Sequence, residues 1–277
     1  MTEPLREPRR EPIINLPAVI TAAIAAFAAV HLLRVFALDP MADLEVLARF
    51  AFVPDRAALA AQLAPIPVPD DLSATILSLF SYAFLHGDAA HLILNCVWLA
   101  AFGAPVALRL GAWRTLAVLA VGSVAGALAH YALSPDDTTP LIGASASVSA
   151  AMGVAGRFIF LPGGGMLIGP RVALARIVPA MPLRMTLADR RVVLFVAVWI
   201  GINLVVALGL LPIAGLDQEV AWEAHIAGFL AGFLLFPVLD RVPLPVALPL
   251  NRSHDASERR PSDAGAERPE QEQDRED

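Results

Sequence analysis

The sequence is poor in charged residues and in cysteine, and it contains no lysine. Only 17% of its 277 residues are charged, whereas soluble globular domains average about 25%. The single cysteine, Cys96, excludes an intrachain disulfide and a cysteine-based zinc site. The 20 basic residues are all arginine and form no basic stripe, which argues against nucleic-acid binding. Hydrophobic residues make up 57% of the chain, more than one buried core needs, and this excess indicates a polytopic membrane protein.

Six apolar stretches approach the length of a membrane span, which needs about 20 residues. They lie near residues 15–38, 89–108, 113–133, 141–161, 192–212 and 221–239. We therefore predict an all-α polytopic membrane protein whose six-span domain covers residues 13–240. Residues 1–12 would form a cytoplasmic N-terminal segment. Residues 241–277 would form a disordered acidic cytoplasmic tail, because residues 251–277 have almost no apolar side chain larger than alanine to bury.

Arginine placement predicts the orientation of the spans, because short arginine-rich loops stay on the cytoplasmic side. Arginines precede the first span, border the turn between the second and third, and populate the 157–191 connection. All three segments fall on one side, so both termini are predicted to be cytoplasmic.

A long outer segment, 39–88, separates the first two spans. We expect short helices in the interface plane over 41–52 and 56–64, where apolar residues mix with acids and arginines. A further apolar run, 73–86, leads to Gly87 and Asp88. The Asp88 carboxylate can accept from open backbone N–H groups, which predicts that the second span begins at Ala89.

A few polar side chains lie within the spans, where burial in lipid is costly and makes each a functional candidate. The second span carries His91 and Asn95 on one helical face, the fourth opens near Ser145, and the sixth near His225. At a rise of about 1.5 Å per residue, all four lie roughly 4 to 11 Å below the outer boundary. Because these four polar residues lie at one depth on three helices, we predict that they form a single site.

Serine and histidine at one depth suggest nucleophilic catalysis, because a neutral imidazole can take the hydroxyl proton during attack on a carbonyl. No Asp or Glu lies at that depth inside a span, so we predict a Ser145–His225 dyad without a third carboxylate. His91 and Asn95 could donate hydrogen bonds to the oxyanion.

Small residues favour close packing of the fourth and sixth spans. On the sixth span, Gly228 and Gly232 lie below His225 on one face. The fourth span has a strip that recurs every four residues: Ser145, Ser149 and Gly153. Such small-xxx-small faces let two membrane helices approach closely.

Three motifs in this order resemble those of the rhomboid family of intramembrane serine proteases. They are His86-Gly-Asp-Ala-Ala-His91-Leu-Ile-Leu-Asn95, matching H-x4-H-x3-N; Gly143-Ala144-Ser145-Ala146, matching G-x-S-x; and Ala224-His225-Ile226-Ala227-Gly228 followed by Gly232. The resemblance covers about residues 73–236. This chain has Ala146 where the family usually has glycine and Ser149 where it often has a bulky aromatic, and it lacks a Trp-Arg pair in 39–72.

The resemblance implies a six-helix rhomboid-like bundle with a long outer loop between helices 1 and 2. Ser145 would be the nucleophile and His225 the general base, with His91 and Asn95 lining the oxyanion hole. Supporting positions would be His86, Gly143, Gly228 and Gly232.

The implied function is cleavage of single-span membrane proteins near the outer face of the lipid bilayer, without a cofactor. Helix-breaking residues would let a substrate unwind, because a helical peptide bond hides its carbonyl carbon. The exclusive use of arginine fits a GC-rich bacterial genome, and therefore a bacterial inner (plasma) membrane; the oligomeric state stays open. Two alternatives are a catalytically inactive relative that binds client transmembrane helices and a small-solute transporter, which the lack of an evident inverted repeat argues against.

The remaining polar residues have simpler interpretations. Ser147 and Ser149 are alternative nucleophiles, although serines in membrane helices most often bond to backbone or to a neighbouring helix. No metal site is expected, because His86 and His91 do not share a helical face and no acid or cysteine completes a ligand shell. We expect interfacial positions for His31 and His130, and an interhelical hydrogen bond for Asn203.

Overall fold

The computed structural model describes residues 16–161, 179–208 and 220–241, which are mainly helical. In these ranges the only strand-like pairing is one antiparallel bridge, between Phe52 and Leu141. The helices are α1 (Ala18–Ala37), α2 (Pro40–Phe50), α3 (Arg56–Gln62), α4 (Leu72–Ser81), α5 (Ala89–Trp98), α6 (Ala104–Leu110), α7 (Ala112–Leu133), α8 (Ser145–Gly156), α9 (Leu183–Thr186), α10 (Arg190–Ala207) and α11 (Trp222–Leu239). A π-helical turn, Leu99–Gly103, joins α5 to α6. The predicted all-α class is confirmed.

Five helical stretches of the described chain are long and apolar enough to cross a membrane. They are Ala18–Ala37, Ala89–Leu110, Ala112–Leu133, Arg190–Ala207 and Trp222–Leu239, and they match the predicted first, second, third, fifth and sixth spans. The fourth predicted span, 141–161, contains a shorter helix, α8, of 12 residues. The predicted segment 1–12, residues 209–212 of the fifth span, most of the predicted tail and the middle of the 157–191 connection lie outside the described residues.

Helix α8 is shorter than predicted because its flanking residues are held in other conformations. Before the helix, Leu141 pairs with Phe52, and the Gly143 N–H donates to the Tyr82 carbonyl at 3.0 Å. After it, Phe158 and Leu161 take part in tight turns rather than in a regular helix. The apolar run is therefore longer than the helix that it contains.

Every residue of α8 from Ala146 to Gly156 is buried, so α8 lies at the centre of the packed helices. Its most extensive neighbours are α11 and α7. Phe158 and Phe236 continue the core below it, with their rings stacked at a centroid distance of 5.9 Å. A helix enclosed on several sides needs small side chains at its contacts, because each neighbouring backbone must approach closely.

Glycines on α11 bring that helix against the backbone of α8. A Cβ atom on Gly228 would lie 2.3 Å from the Ala146 carbonyl oxygen, and one on Gly232 would lie 2.0 Å from that of Ala150. The contact strip on α8 is thus Ala146, Ala150 and Gly153. Gly153 belongs to the predicted strip, whereas the two glycines of α11 meet Ala146 and Ala150, each one residue after a serine of that strip.

The outer segment contains the two short helices that the sequence predicted, α2 and α3. Their N-termini are capped by Asp39 and Asp55, whose carboxylates accept from backbone N–H groups of the first turn. The buried Arg56 guanidinium donates to four backbone carbonyls, those of Ala48, Arg49, Ala51 and Pro69. One side chain therefore holds together the end of α2, the start of α3 and the chain leading to α4.

Candidate active site

Ser145 is the first residue of α8 and the one residue of that helix that is not fully buried. It follows Gly143, whose φ of 110° lies in a region that residues with a side chain rarely adopt. The first N–H groups of a helix have no partner within the helix. At this helix start, a half-buried hydroxyl and open backbone donors occur together.

The side chains of His91 and Asn95 lie against the turn that precedes Ser145. Helix α5 begins as predicted, because the Asp88 carboxylate accepts from the His91 N–H at 2.8 Å. A Cβ atom on Gly143 would lie 2.5 Å from His91 Nε2 and 3.7 Å from Asn95 Nδ2. The Asn95 amide also donates to the His91 carbonyl at 3.1 Å. The structure therefore brings the predicted oxyanion-binding residues to the loop that presents Ser145.

His225 lies in the first turn of α11, at the same end of the α8–α11 contact as Ser145. The two helices run parallel here, since Gly228 contacts Ala146 and Gly232 contacts Ala150 four residues later on each helix. His225 is one turn before Gly228. The predicted dyad thus occupies neighbouring helix starts.

The Ser145 hydroxyl forms no hydrogen bond within residues 16–161, 179–208 and 220–241, so the bond expected between Ser145 and His225 is not made here. Catalytic hydrogen bonds are often long in unliganded enzymes and tighten when substrate binds. The alternative nucleophiles both have partners: Ser147 Oγ donates to the Leu119 carbonyl and Ser149 Oγ to the Ser145 carbonyl, at 2.8 and 2.7 Å. Ser145 is the serine whose hydroxyl is left available.

His225 has a partner that the sequence did not reveal. Its Nδ1 atom lies 2.8 Å from Oδ1 of Asn203 on α10. We expected Asn203 to make an interhelical hydrogen bond but could name no partner. Asn203 and Val192 are the buried residues of α10, so a polar residue on the inner face of an otherwise lipid-exposed helix was the available signal.

The His86 side chain packs against the His91 ring. Its ring is fully buried and meets the His91 ring edge-on, with centroids 5.2 Å apart. Burial, together with the adjacent His91, lowers the pKa of His86 to about 3, so this imidazole is neutral. The His86 carbonyl accepts from Arg34 Nη1 at 3.0 Å, which ties the loop before α5 to α1.

His31 and His130 are both buried inside the protein, and their interfacial depth stays a prediction. His130 Nδ1 lies 2.7 Å from Glu223 Oε1, which connects the C-terminal end of α7 to the first turn of α11. The pair is two residues from His225 along α11. A carboxylate on another helix thus gives the buried His130 ring a polar partner.

In the part of the chain that the structure describes, no group of three or more His, Cys, Asp or Glu side chains could hold a metal ion. What the site offers chemically is a hydroxyl, an imidazole oriented by an amide, and a set of N–H donors. These are the groups required for acyl transfer through a tetrahedral intermediate.

Comparison with protein-family models identifies the family to which this chain belongs. The family model for the Rhomboid domain matches residues 73–241, which is more than half of the chain and includes all eight candidate site residues named from the sequence. A comparison with curated proteins gives no match. The chain therefore belongs to the Rhomboid domain family and is a multi-pass integral membrane protein.

Proposed function

We propose that this protein is an intramembrane serine endopeptidase that cleaves transmembrane proteins near the outer face of the membrane. The observation that carries the proposal is the position of Ser145. It is the one residue of α8 that is not fully buried, and it follows a turn packed on His91 and Asn95. Ser145 also lies at the end of the α8–α11 contact where the first turn of α11 holds His225.

In the proposed reaction, Ser145 Oγ attacks the carbonyl carbon of the scissile bond while its proton passes to His225 Nε2. The carbonyl π electrons move to oxygen, and the oxyanion accepts from His91 Nε2–H, the Asn95 amide and the Ser145 backbone N–H. The imidazolium then protonates the leaving amine, the C–N bond breaks, and an acyl-enzyme remains. Water, deprotonated by His225, hydrolyses the ester and restores Ser145.

The substrates that fit this site are single-span membrane proteins whose helix unwinds near the outer face. The polar residues of the site lie at the outer ends of their helices in the orientation that arginine placement predicts. In the same proposal both termini are cytoplasmic and the membrane is a bacterial plasma membrane.

One observation favours the alternative of an inactive relative that binds client helices, namely that Ser145 and His225 are not hydrogen-bonded in this structure. The two functions differ in whether they need the Ser145 hydroxyl. A client-binding protein needs only a surface that binds a helix, whereas a protease also needs the hydroxyl.

The test is cleavage of a model single-span substrate by the purified protein in proteoliposomes. Wild type is expected to cleave, and Ser145→Ala and His225→Ala to lose cleavage. Ser147→Ala is the matched control, because it removes a hydroxyl two residues away that bonds to Leu119. Equal product from wild type and Ser145→Ala, or none from wild type, would reject the proposal.

A further inference from the structure

Helix α10 makes one interhelical hydrogen bond within the described residues, and that bond ends on His225. Most of the helix presents apolar side chains outward; Val198 and Ile202, for example, are 52% and 51% exposed. Asn203 is only 4% exposed and lies against α11. A buried amide in a membrane helix is costly unless its donors and acceptors are used.

Both ends of the Asn203 amide have partners, and together they settle how it is oriented. Nδ2 donates to the Trp199 carbonyl at 2.9 Å, one turn earlier on α10. The opposite orientation would set the amide oxygen against that carbonyl, two acceptors facing each other. Oδ1 therefore faces His225, where it lies 2.8 Å from Nδ1.

This orientation determines the tautomer of His225. Because Asn203 Oδ1 can only accept, Nδ1 of a neutral His225 must carry the proton. Nε2 is then left with its lone pair, as a general base requires. The other tautomer would place two lone pairs against each other and protonate the atom that has to receive the serine proton.

Among the residues that the structure describes, no carboxylate bonds to Nδ1 of His225. Glu223 is the acidic group closest to His225 along the chain, and it is paired with His130 at 2.7 Å. The Trp199 ring lies near the imidazole, with centroids 6.4 Å apart and planes inclined at 31°. One face of α10 thus supplies the acceptor for Nδ1, the carbonyl that orients that acceptor, and an aromatic neighbour.

We propose that Asn203 is a positioning residue that holds His225 in the Nδ1–H tautomer, with Trp199 orienting Asn203. The proposal rests on the proposed function, since it assigns His225 the role of base. Asn203 acts through His225 and does not touch the substrate. It does for this dyad what a third residue does in a triad, with a neutral amide in place of a carboxylate.

The test compares Asn203→Leu, which removes the acceptor with little change in size, and Asn203→Asp, which keeps an acceptor oxygen. The measured quantities are kcat and KM for a single-span substrate, and the second-order rate of Ser145 labelling by a fluorophosphonate. Ile202→Ala is the matched control, because that neighbouring side chain points outward from the same helix. Thermal melting in detergent reports whether each variant is folded.

We expect Asn203→Leu to lower kcat and the labelling rate about tenfold or more, with KM within about twofold of wild type. Asn203→Asp should recover part of both rates, and Ile202→Ala should behave as wild type. Equal rates for Asn203→Leu and wild type, equal losses in Asn203→Leu and Asn203→Asp, or an effect on KM alone would overturn the proposal. If wild type neither cleaves nor becomes labelled, the proposed function fails instead.

If Asn203→Leu does not fold, a spectroscopic measurement of the His225 tautomer tests the proposal. Nitrogen-15 NMR of histidine-labelled protein distinguishes the two neutral tautomers, and His225 is assigned from the signal lost in His225→Gln. The proposal predicts a proton on Nδ1 of His225 in the wild type, and the same position in Asn203→Asp at a pH where the imidazole is neutral, because the carboxylate can only accept. A wild-type proton on Nε2 would overturn it.

Discussion

The carbonyl oxygen of Ala150 occupies the space that a side chain on Gly232 would need. A Cβ atom there would lie 2.0 Å from the oxygen and 2.7 Å from the carbonyl carbon. Because both contacts are to backbone, no side-chain rearrangement can relieve them. The approach of α11 to α8, and so of His225 to Ser145, depends on glycine at this position.

Gly232→Ala is therefore expected to separate the two helices. Overpacking of this kind costs about 1–3 kcal/mol in stability, and cleavage should fall with it. Gly201→Ala is the control, since a Cβ atom on Gly201 would meet nothing within 4 Å. Thermal melting in detergent compares the two, and equal melting temperatures for them would contradict the packing described here.

Gly143→Ala should impair the site more than the fold. The residue has φ of 110°, and a Cβ atom would lie 2.5 Å from His91 Nε2. Backbone strain of this type costs about 1–3 kcal/mol, and the contact would displace His91 as well. Gly111→Ala separates the effect of backbone strain from the effect of the contact with His91, because Gly111 has φ of 79° but nothing within 4 Å of its Cβ position.

We expect Gly143→Ala to lose cleavage more than about tenfold, while Gly111→Ala keeps its kcat at a similar cost in stability. The measurement is kcat together with the melting temperature of each variant. Comparable kcat values in the two variants would show that the turn at Gly143 does not act through His91.

Arg56→Lys should loosen the outer segment. The Arg56 guanidinium bonds to four carbonyls, and an ammonium group has neither the reach nor the fork geometry to replace it. Burial lowers the pKa of Arg56 from its ordinary value, although the group stays charged near neutral pH. Hydrogen exchange over 40–70 should accelerate in Arg56→Lys and stay unchanged in Arg49→Lys, whose side chain is exposed.

The His130–Glu223 contact should contribute measurable coupling energy between α7 and α11. Both side chains are about nine-tenths buried, and His130 Nε2 also lies 3.6 Å from Asp137 Oδ2. Removal of Glu223 therefore leaves His130 only this longer contact, and removal of His130 leaves Glu223 without its close partner. A double-mutant cycle with His130→Gln and Glu223→Gln should give a coupling of about 1–3 kcal/mol in unfolding free energy. Additive losses would mean that the two residues do not stabilise each other.

The site could be predicted from the sequence wherever a local pattern carried the information. Asp88 caps α5 as expected because capping involves residues three apart, and His91 with Asn95 faces Gly143 because i and i+4 share a helical face. The motif order then led to the Ser145–His225 pair.

The missed features all depend on contacts between distant parts of the chain. The partner of Asn203 is 22 residues away on another helix, and no local pattern distinguishes it from other possible partners. The contacts of Ala146 and Ala150 were missed because a helix buried on all sides has no amphipathic period to show which face meets which neighbour. The length of α8 was missed in part because the chain before the helix is held by a contact that is distant in sequence, the pairing of Leu141 with Phe52.

The central claim is that Ser145 is a nucleophile activated by His225. The most direct measurement is to label the purified protein with a fluorophosphonate and to locate the adduct by peptide mass spectrometry. The account predicts one adduct, on Ser145, which is absent in Ser145→Ala, strongly reduced in His225→Ala and retained in Ser147→Ala. An adduct on another serine, or labelling that persists in Ser145→Ala, would contradict it.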